Sequence, residues 1–102
     1  MPTLLQVDFP FPGPWGSEMT AALRGLAESI ASEPGLLWKI WTESPERAEA
    51  GGIYLFRDRA AAEAYLAMHT RRLLAAGVAP VNGKLFEVNA ALSAIDRAPL
   101  GA

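Results

Sequence analysis

The chain has 102 residues, 51% of them hydrophobic and 20% charged, with a formal net charge of −2, one histidine and no cysteine. That length corresponds to one domain, able to bury about two-thirds of its unfolded surface without a disulfide or metal. The composition excludes thiol catalysis, thiolate metal sites and disulfides, and nine scattered Lys and Arg against eleven Asp and Glu provide no basic field for nucleic acid or anionic lipid.

The first residues, MPTLLQVDF, lack the basic and apolar regions of a secretory signal. No apolar run approaches the ~18 residues of a spanning helix, so a soluble cytoplasmic protein with no membrane partner is expected.

Alternation over Thr3 to Phe9 predicts a first strand, with Leu5, Val7 and Phe9 on one face and Leu4, Gln6 and Asp8 on the other. The loop PFPGPWG, Pro10 to Gly16, ends it, since its prolines lack amide donors. Phe11 and Trp15 in that loop are costly to leave in water and are expected to fold over an apolar opening as a lid or wall, or else to staple the loop to the next helix. Ser17 is placed to cap that helix, whose apolar stripe runs Met19, Leu23, Leu26, Ala27 and Ile30 before Glu33, Pro34 and Gly35 make a turn.

A hairpin follows, with strands at Leu36 to Thr42 and Ile53 to Phe56 around a polar loop. Strict alternation puts Leu36, Trp38 and Ile40 on one face and Leu37, Lys39 and Trp41 on the other. Both faces carry a tryptophan, so something must cover each. Asp58 can cap a second helix with a stripe of Ala62, Tyr65, Leu66, His69 and Leu73; Arg71 and Arg72 suit its C-terminal dipole, and Gly77 supplies the stop. Val81 to Val88 reads as a fourth strand with Gly83 as a candidate bulge, and Leu92 and Ile95 mark a short terminal helix that then frays.

The order βαββαβ predicts one ferredoxin-like α+β domain over 1–102. Its antiparallel sheet has strand order 4-1-3-2 and both crossover helices on one face. The opposite face then exposes several large side chains, more than the roughly 300–600 Å² patch of an ordinary monomer, which predicts a two-fold homodimer joined sheet to sheet.

The segments PTLLQVDF, GPWG, LAESIASEPGLLWKIWTES, EAGGIYLF, AYLAMHTRRL and FEVNAALSAI resemble the YdhR monooxygenase family over nearly the whole chain. PGLLWKIWTES followed by EAGGIYLF is the most specific part. The family is similar to the antibiotic-biosynthesis monooxygenases, and the resemblance implies their dimeric α+β barrel. It also implies oxidation of a small hydrophobic, aromatic or quinol-like compound by molecular oxygen, with no metal, flavin or other cofactor. Such chemistry needs a group that favours the substrate anion and a dry pocket. A non-catalytic small-ligand or haem-binding module on the same barrel, and an isomerase or decarboxylase that uses no oxygen, are the other readings.

His69 is the candidate acid/base, the only side chain whose unperturbed pKa lies near neutrality, against a packing role of equal weight. Tyr54 is a candidate donor to an oxyanion. Trp38, whose companions Leu36 and Ile40 are apolar, is expected to line the pocket, while Trp41, whose neighbours Lys39 and Glu43 are charged, joins the dimer face; Phe9, Phe11, Trp15 and Tyr65 complete the substrate-binding set with Trp38 and Ile40. For each aromatic, simple core packing is the competing explanation. Glu43, Glu46 and Glu49 read as solvated loop charge. One histidine makes a catalytic metal site improbable, and nucleotide-binding patterns and a serine triad are absent.

Overall fold

The computed structural model describes residues 2–100. Its elements are β1 (Thr3–Pro10), α1 (Gly16–Ala31), β2 (Leu36–Ser44), β3 (Glu49–Phe56), α2 (Arg59–Ala75), β4 (Asn82–Glu87) and α3 (Ala90–Ile95). The four strands form one sheet in the order β2-β3-β1-β4 with every neighbour antiparallel, the ferredoxin-like arrangement expected from the element order.

The core follows from alternation. Thr3 opposite Phe56, Leu5 opposite Tyr54 and Val7 opposite Gly52 bring Thr3, Leu5, Val7, Tyr54 and Phe56 to one face of the two central strands, and all five are buried. Ile30 from α1 and Ala62 and Tyr65 from α2 complete the cluster against that face. Truncating the fully buried Phe56 to alanine would cost about 3–5 kcal/mol, the transfer and cavity terms of a lost core aromatic.

Several local expectations change. β1 runs on to Pro10 because that residue pairs with Glu49 at the strand end, and the hairpin strands extend until the loop shrinks to Pro45–Ala48. Ser17 lies inside α1. The N-cap is Trp15, whose side chain makes no cap, and the free amide of Gly16 donates instead to Glu43 Oε1 at 2.9 Å. Glu43 is thus a carboxylate set at a helix N-terminus, where the dipole favours it, and it belongs to β2 rather than to a solvated loop. Asp58 caps α2 as expected, accepting from the Ala61 amide at 2.9 Å. Gly83 is not a bulge: β4 pairs with β1 in unbroken register, and the missing side chain makes room for Leu66, whose Cδ1 would sit 2.5 Å from an added Cβ.

The bulge lies in β2. Leu36 pairs with Phe56 but Trp38 pairs with Leu55, so Leu37 is the extra residue. Alternation restarts after it. Leu36, Lys39, Trp41 and Glu43 therefore face the helices, opposite Phe56, Tyr54, Gly52 and Ala50, while Trp38, Ile40 and Thr42 face away.

The face turned away from α1 and α2 carries Leu4, Leu55, Trp38, Ile40 and Phe86. It is not wholly bare, because the segment after α3 returns to it. Trp38 Nε1–H donates to the Pro99 carbonyl at 2.8 Å, and Leu4, Trp38, Leu55 and Phe86 share a depression with Ala98, Pro99 and Leu100. The expected fraying gives way to a tethered tail. Ile40, Phe86, Leu92 and Ile95 stay exposed.

Candidate functional site

Between α1, α2 and the sheet lies a cavity of about 330 Å³. Met19, Leu23 and Leu26 of α1 form one wall, and Phe9, Lys39, Trp41, Gly51 and Tyr54 form the sheet side. His69, Arg72 and Leu73 of α2 face them, with Phe11, Ala76 and Val78 also in the lining. The walls are apolar apart from Lys39, Tyr54, His69 and Arg72, and no carboxylate is among the lining residues.

The β2–β3 pairing builds the floor. Lys39 and Trp41, two residues apart, project to the same side, and their cross-strand partners are Tyr54 and Gly52. Gly52 leaves the space the lysine uses: a Cβ there would lie 2.5 Å from Lys39 Cε and 3.2 Å from Tyr54 Cε1. The amine rests on aromatic faces, with Nζ 3.3 Å from the Trp41 ring centroid and 4.7 Å from that of Tyr54. Both lie within the ~6 Å reach of a cation–π contact. Burial among these rings, followed by the neighbouring charge of Arg72, lowers the Lys39 pKa from 10.5 to about 7.

The α2 side is set by helical spacing. Tyr65, His69 and Leu73 fall at four-residue intervals on the buried stripe, and Arg72, three residues after His69, reaches back along the helix. Arg72 Nη2 lies 2.9 Å from His69 Nδ1 and its Nε 3.3 Å away. A guanidinium can only donate, so Nδ1 is the acceptor and the imidazole carries its proton on Nε2. His69 is buried, its ring stacked on Tyr65 with centroids 5.1 Å apart. Burial, then Arg72, then Lys39 depress its pKa from 6.5 to about 4. At neutral pH this histidine is uncharged and a weak base. It is equipped to donate from Nε2.

Tyr54 and Tyr65 share a hydrogen bond at 3.0 Å between their hydroxyls, beneath a cluster in which Phe56 packs on both rings. Burial, then the neighbouring Tyr65, push the Tyr54 phenol well above its ordinary value, and burial likewise raises Tyr65. Both stay protonated.

The structure therefore gathers His69, Tyr54, Phe9 and Phe11 around one cavity, with Tyr65 directly behind His69 and Tyr54. Trp15 does not line it; its ring meets Phe11 edge-on at 5.4 Å, and Phe11 meets Phe9 at 6.2 Å, so Trp15 ties the early loop to α1. The placement expected for Trp38 and Ile40 is corrected. Both lie on the face away from the helices, and the tryptophan of the cavity is Trp41. The bulge at Leu37 breaks the alternation that grouped Leu36 with Trp38. Lys39, beside Trp41, points inward because two aromatic rings receive its charge.

Sequence reasoning also missed Lys39 and Arg72 as site residues. Arg72 was legible as the i+3 neighbour of the single histidine, and the inward lysine had a signal in the double glycine Gly51–Gly52, which empties the strand facing it. Among the described residues, no group of three or more His, Cys, Asp or Glu could hold a metal ion.

The sequence profile described as "Putative mono-oxygenase ydhR" matches residues 4–99. The chain belongs to the ydhR family. Two solved structures share its fold. One, from Deinococcus radiodurans, is described as a putative antibiotic biosynthesis monooxygenase; it has a TM-score of 0.60 and 14% identity, over 85% of this chain and 92% of that one. The other, the NE2512 protein of unknown function from Nitrosomonas europaea, has a TM-score of 0.58 and 21% identity, over 86% and 89%. No curated protein sequence matches the chain. Among the described residues no helix is long and apolar enough to cross a membrane.

Proposed function

We propose that this ydhR-family protein is a cofactor-independent monooxygenase that oxidises a small hydrophobic, aromatic or quinol-like compound with molecular oxygen in the cavity between α1, α2 and the sheet. The observation that carries this reading is the lining itself: apolar walls with Lys39, Arg72 and the His69 imidazole on them and no carboxylate. Such a site favours the anion of a phenol or enol over its neutral form, because the positive groups are worth more where water is excluded.

The chain's own residues divide the work. Lys39, in its uncharged form, accepts the acidic proton of the substrate and becomes an ammonium that stays beside the new anion. Arg72 supplies a permanent positive charge, and His69 Nε2–H and the Tyr54 hydroxyl are donors to the substrate oxygen. The electron-rich anion passes one electron to oxygen, the two radicals join as a carbon-bound peroxide, and loss of water leaves a new carbonyl. One oxygen atom enters the product and the other leaves in water. Phe9, Phe11, Met19 and Leu23 exclude solvent while the intermediates exist.

The test is oxygen consumption with a panel of anthrones, quinols and catechols, together with product analysis. The expected result is uptake matched by product and reduced at least about ten-fold in Lys39→Met, the usual scale for loss of a general base. Tight binding of panel members without uptake would instead favour a small-ligand binding module.

We also propose that two copies associate through the sheet face bearing Ile40 and Phe86, whose exposure in one copy supports that reading. Light scattering after size exclusion should give twice the chain mass; a monomer at micromolar concentration overturns it.

A further inference from the structure

Lys39 has features that proton transfer alone does not require. It is one of only two lysines in the chain; the other, Lys84, is exposed on β4. Its amine lies within a cavity on the Trp41 and Tyr54 rings rather than against a carboxylate, and the ion pairs among the described residues, Arg57–Asp58 and Arg59–Glu63, lie elsewhere. The charged and titratable groups facing the cavity are Arg72 and His69 from α2 and Tyr54 from β3, while α1 contributes only apolar side chains. Glu43, on the same face of β2, is engaged at the α1 N-terminus. A lysine beside a second cation in an apolar pocket is the arrangement that keeps an amine unprotonated and nucleophilic.

We propose that Lys39 is a carbonyl-capturing nucleophile that forms a reversible imine with small aromatic aldehydes or ketones entering the cavity. The amine lone pair attacks the carbonyl carbon, and the nitrogen loses a proton as the oxygen gains one, giving a carbinolamine. The proton still on the nitrogen then passes to that oxygen, which leaves as water while the carbon–nitrogen double bond forms. Tyr54 O–H and His69 Nε2–H are the hydrogen-bond donors in the lining that stabilise the oxygen as it leaves. No oxidant or reductant is consumed, and hydrolysis returns the free amine. The cavity volume suits a single ring bearing a carbonyl, and the aromatic walls at Phe9, Phe11 and Trp41 suit the ring. This inference rests on the cavity admitting a small aromatic molecule and is independent of any use of oxygen.

The test is benzaldehyde with sodium cyanoborohydride at pH 7, which converts an imine into a stable benzyl amine, followed by digestion and mass spectrometry. The expected result is a benzyl group on Lys39, formed at least about ten-fold faster than on Lys84, since an ordinary lysine is almost wholly protonated at that pH; the α-amine, whose ordinary pKa is about 8, also reacts and is told apart by its own peptide. Lys84→Arg should retain the adduct and Lys39→Arg should lose it. Benzyl alcohol, which has the ring but no carbonyl, separates the two ways of failing, its binding followed by saturation-transfer NMR on the unmodified protein. Benzyl alcohol bound with Lys39 unlabelled, or with label spread equally over both lysines, overturns the imine alone. Benzyl alcohol unbound and Lys39 unlabelled overturns the cavity reading as well.

Discussion

Arg72 donates to Nδ1 of His69 at 2.9 Å, so the only histidine of the chain is held as its Nε2–H tautomer by a group that also opposes its protonation. Replacing Arg72 with methionine removes that opposing charge. The His69 pKa should rise from about 4 toward, though not to, 6.5, because burial is the larger cause and remains. The Lys39 pKa should rise with it. With a single histidine, one imidazole resonance followed by NMR against pH reads the change without assignment.

Stability should depend on pH in two windows. His69 titrates at about 4 in the folded chain and 6.5 when free, so between those values the unfolded state binds more protons and stability rises with pH. Lys39 gives the same sign between about 7 and 10.5. Thermal melts should show a shallower rise in the acid window for His69→Gln and in the alkaline window for Lys39→Met. A variant slope equal to that of the parent would contradict the corresponding assignment.

The two hairpin tryptophans should separate by function. Trp41→Ala should weaken binding of an aromatic ligand such as 1-naphthol by about ten-fold or more, close to 1.4 kcal/mol, as expected for a lost aromatic wall. Trp38→Ala should leave that affinity within two- to three-fold, about 0.5 kcal/mol, while releasing the tail held through Pro99. Calorimetric titration checks the first pair, and amide exchange over residues 97–100 checks the tail.

Adjacent glycines should respond differently to alanine. At Gly51 an added Cβ would run into the backbone of β1 at the Val7 carbonyl and Asp8, which cannot move without breaking the ladder. Gly51→Ala should therefore cost several kcal/mol, of order 3, as other overpacked core positions do. At Gly52 the nearest atom is Cε of Lys39, the far end of a flexible side chain. Gly52→Ala should keep most of the stability and displace the amine, so that imine trapping falls while the melting temperature changes less than for Gly51→Ala.

Much of this was legible in the sequence. Alternation in β1 and the three- and four-residue spacing of Ala62, Tyr65, His69 and Leu73 on α2 placed the core, the helix-bearing face and the histidine, because each pattern depends only on local geometry. The β2 face was not legible. One extra residue at Leu37 reverses which side the preceding leucine takes, and nothing in LLWKIWTES marks where it falls. A rule that sends lysine to solvent then reinforced the error, since it takes no account of a ring on the neighbouring strand that can receive the charge. Arg72 was read as a partner of the helix dipole, although its real partner is one turn earlier on the same helix.

The ammonium on the Trp41 ring also has an optical consequence. A charge that comes and goes near pH 7 at 3.3 Å from an indole changes the electric field across it, so the emission colour of Trp41 should follow the titration of Lys39. Trp38, on the far side of the sheet, should hold its colour through the same range. In a Trp15→Phe, Trp38→Phe background the protein would then emit its own signal of whether the cavity is charged, empty or filled.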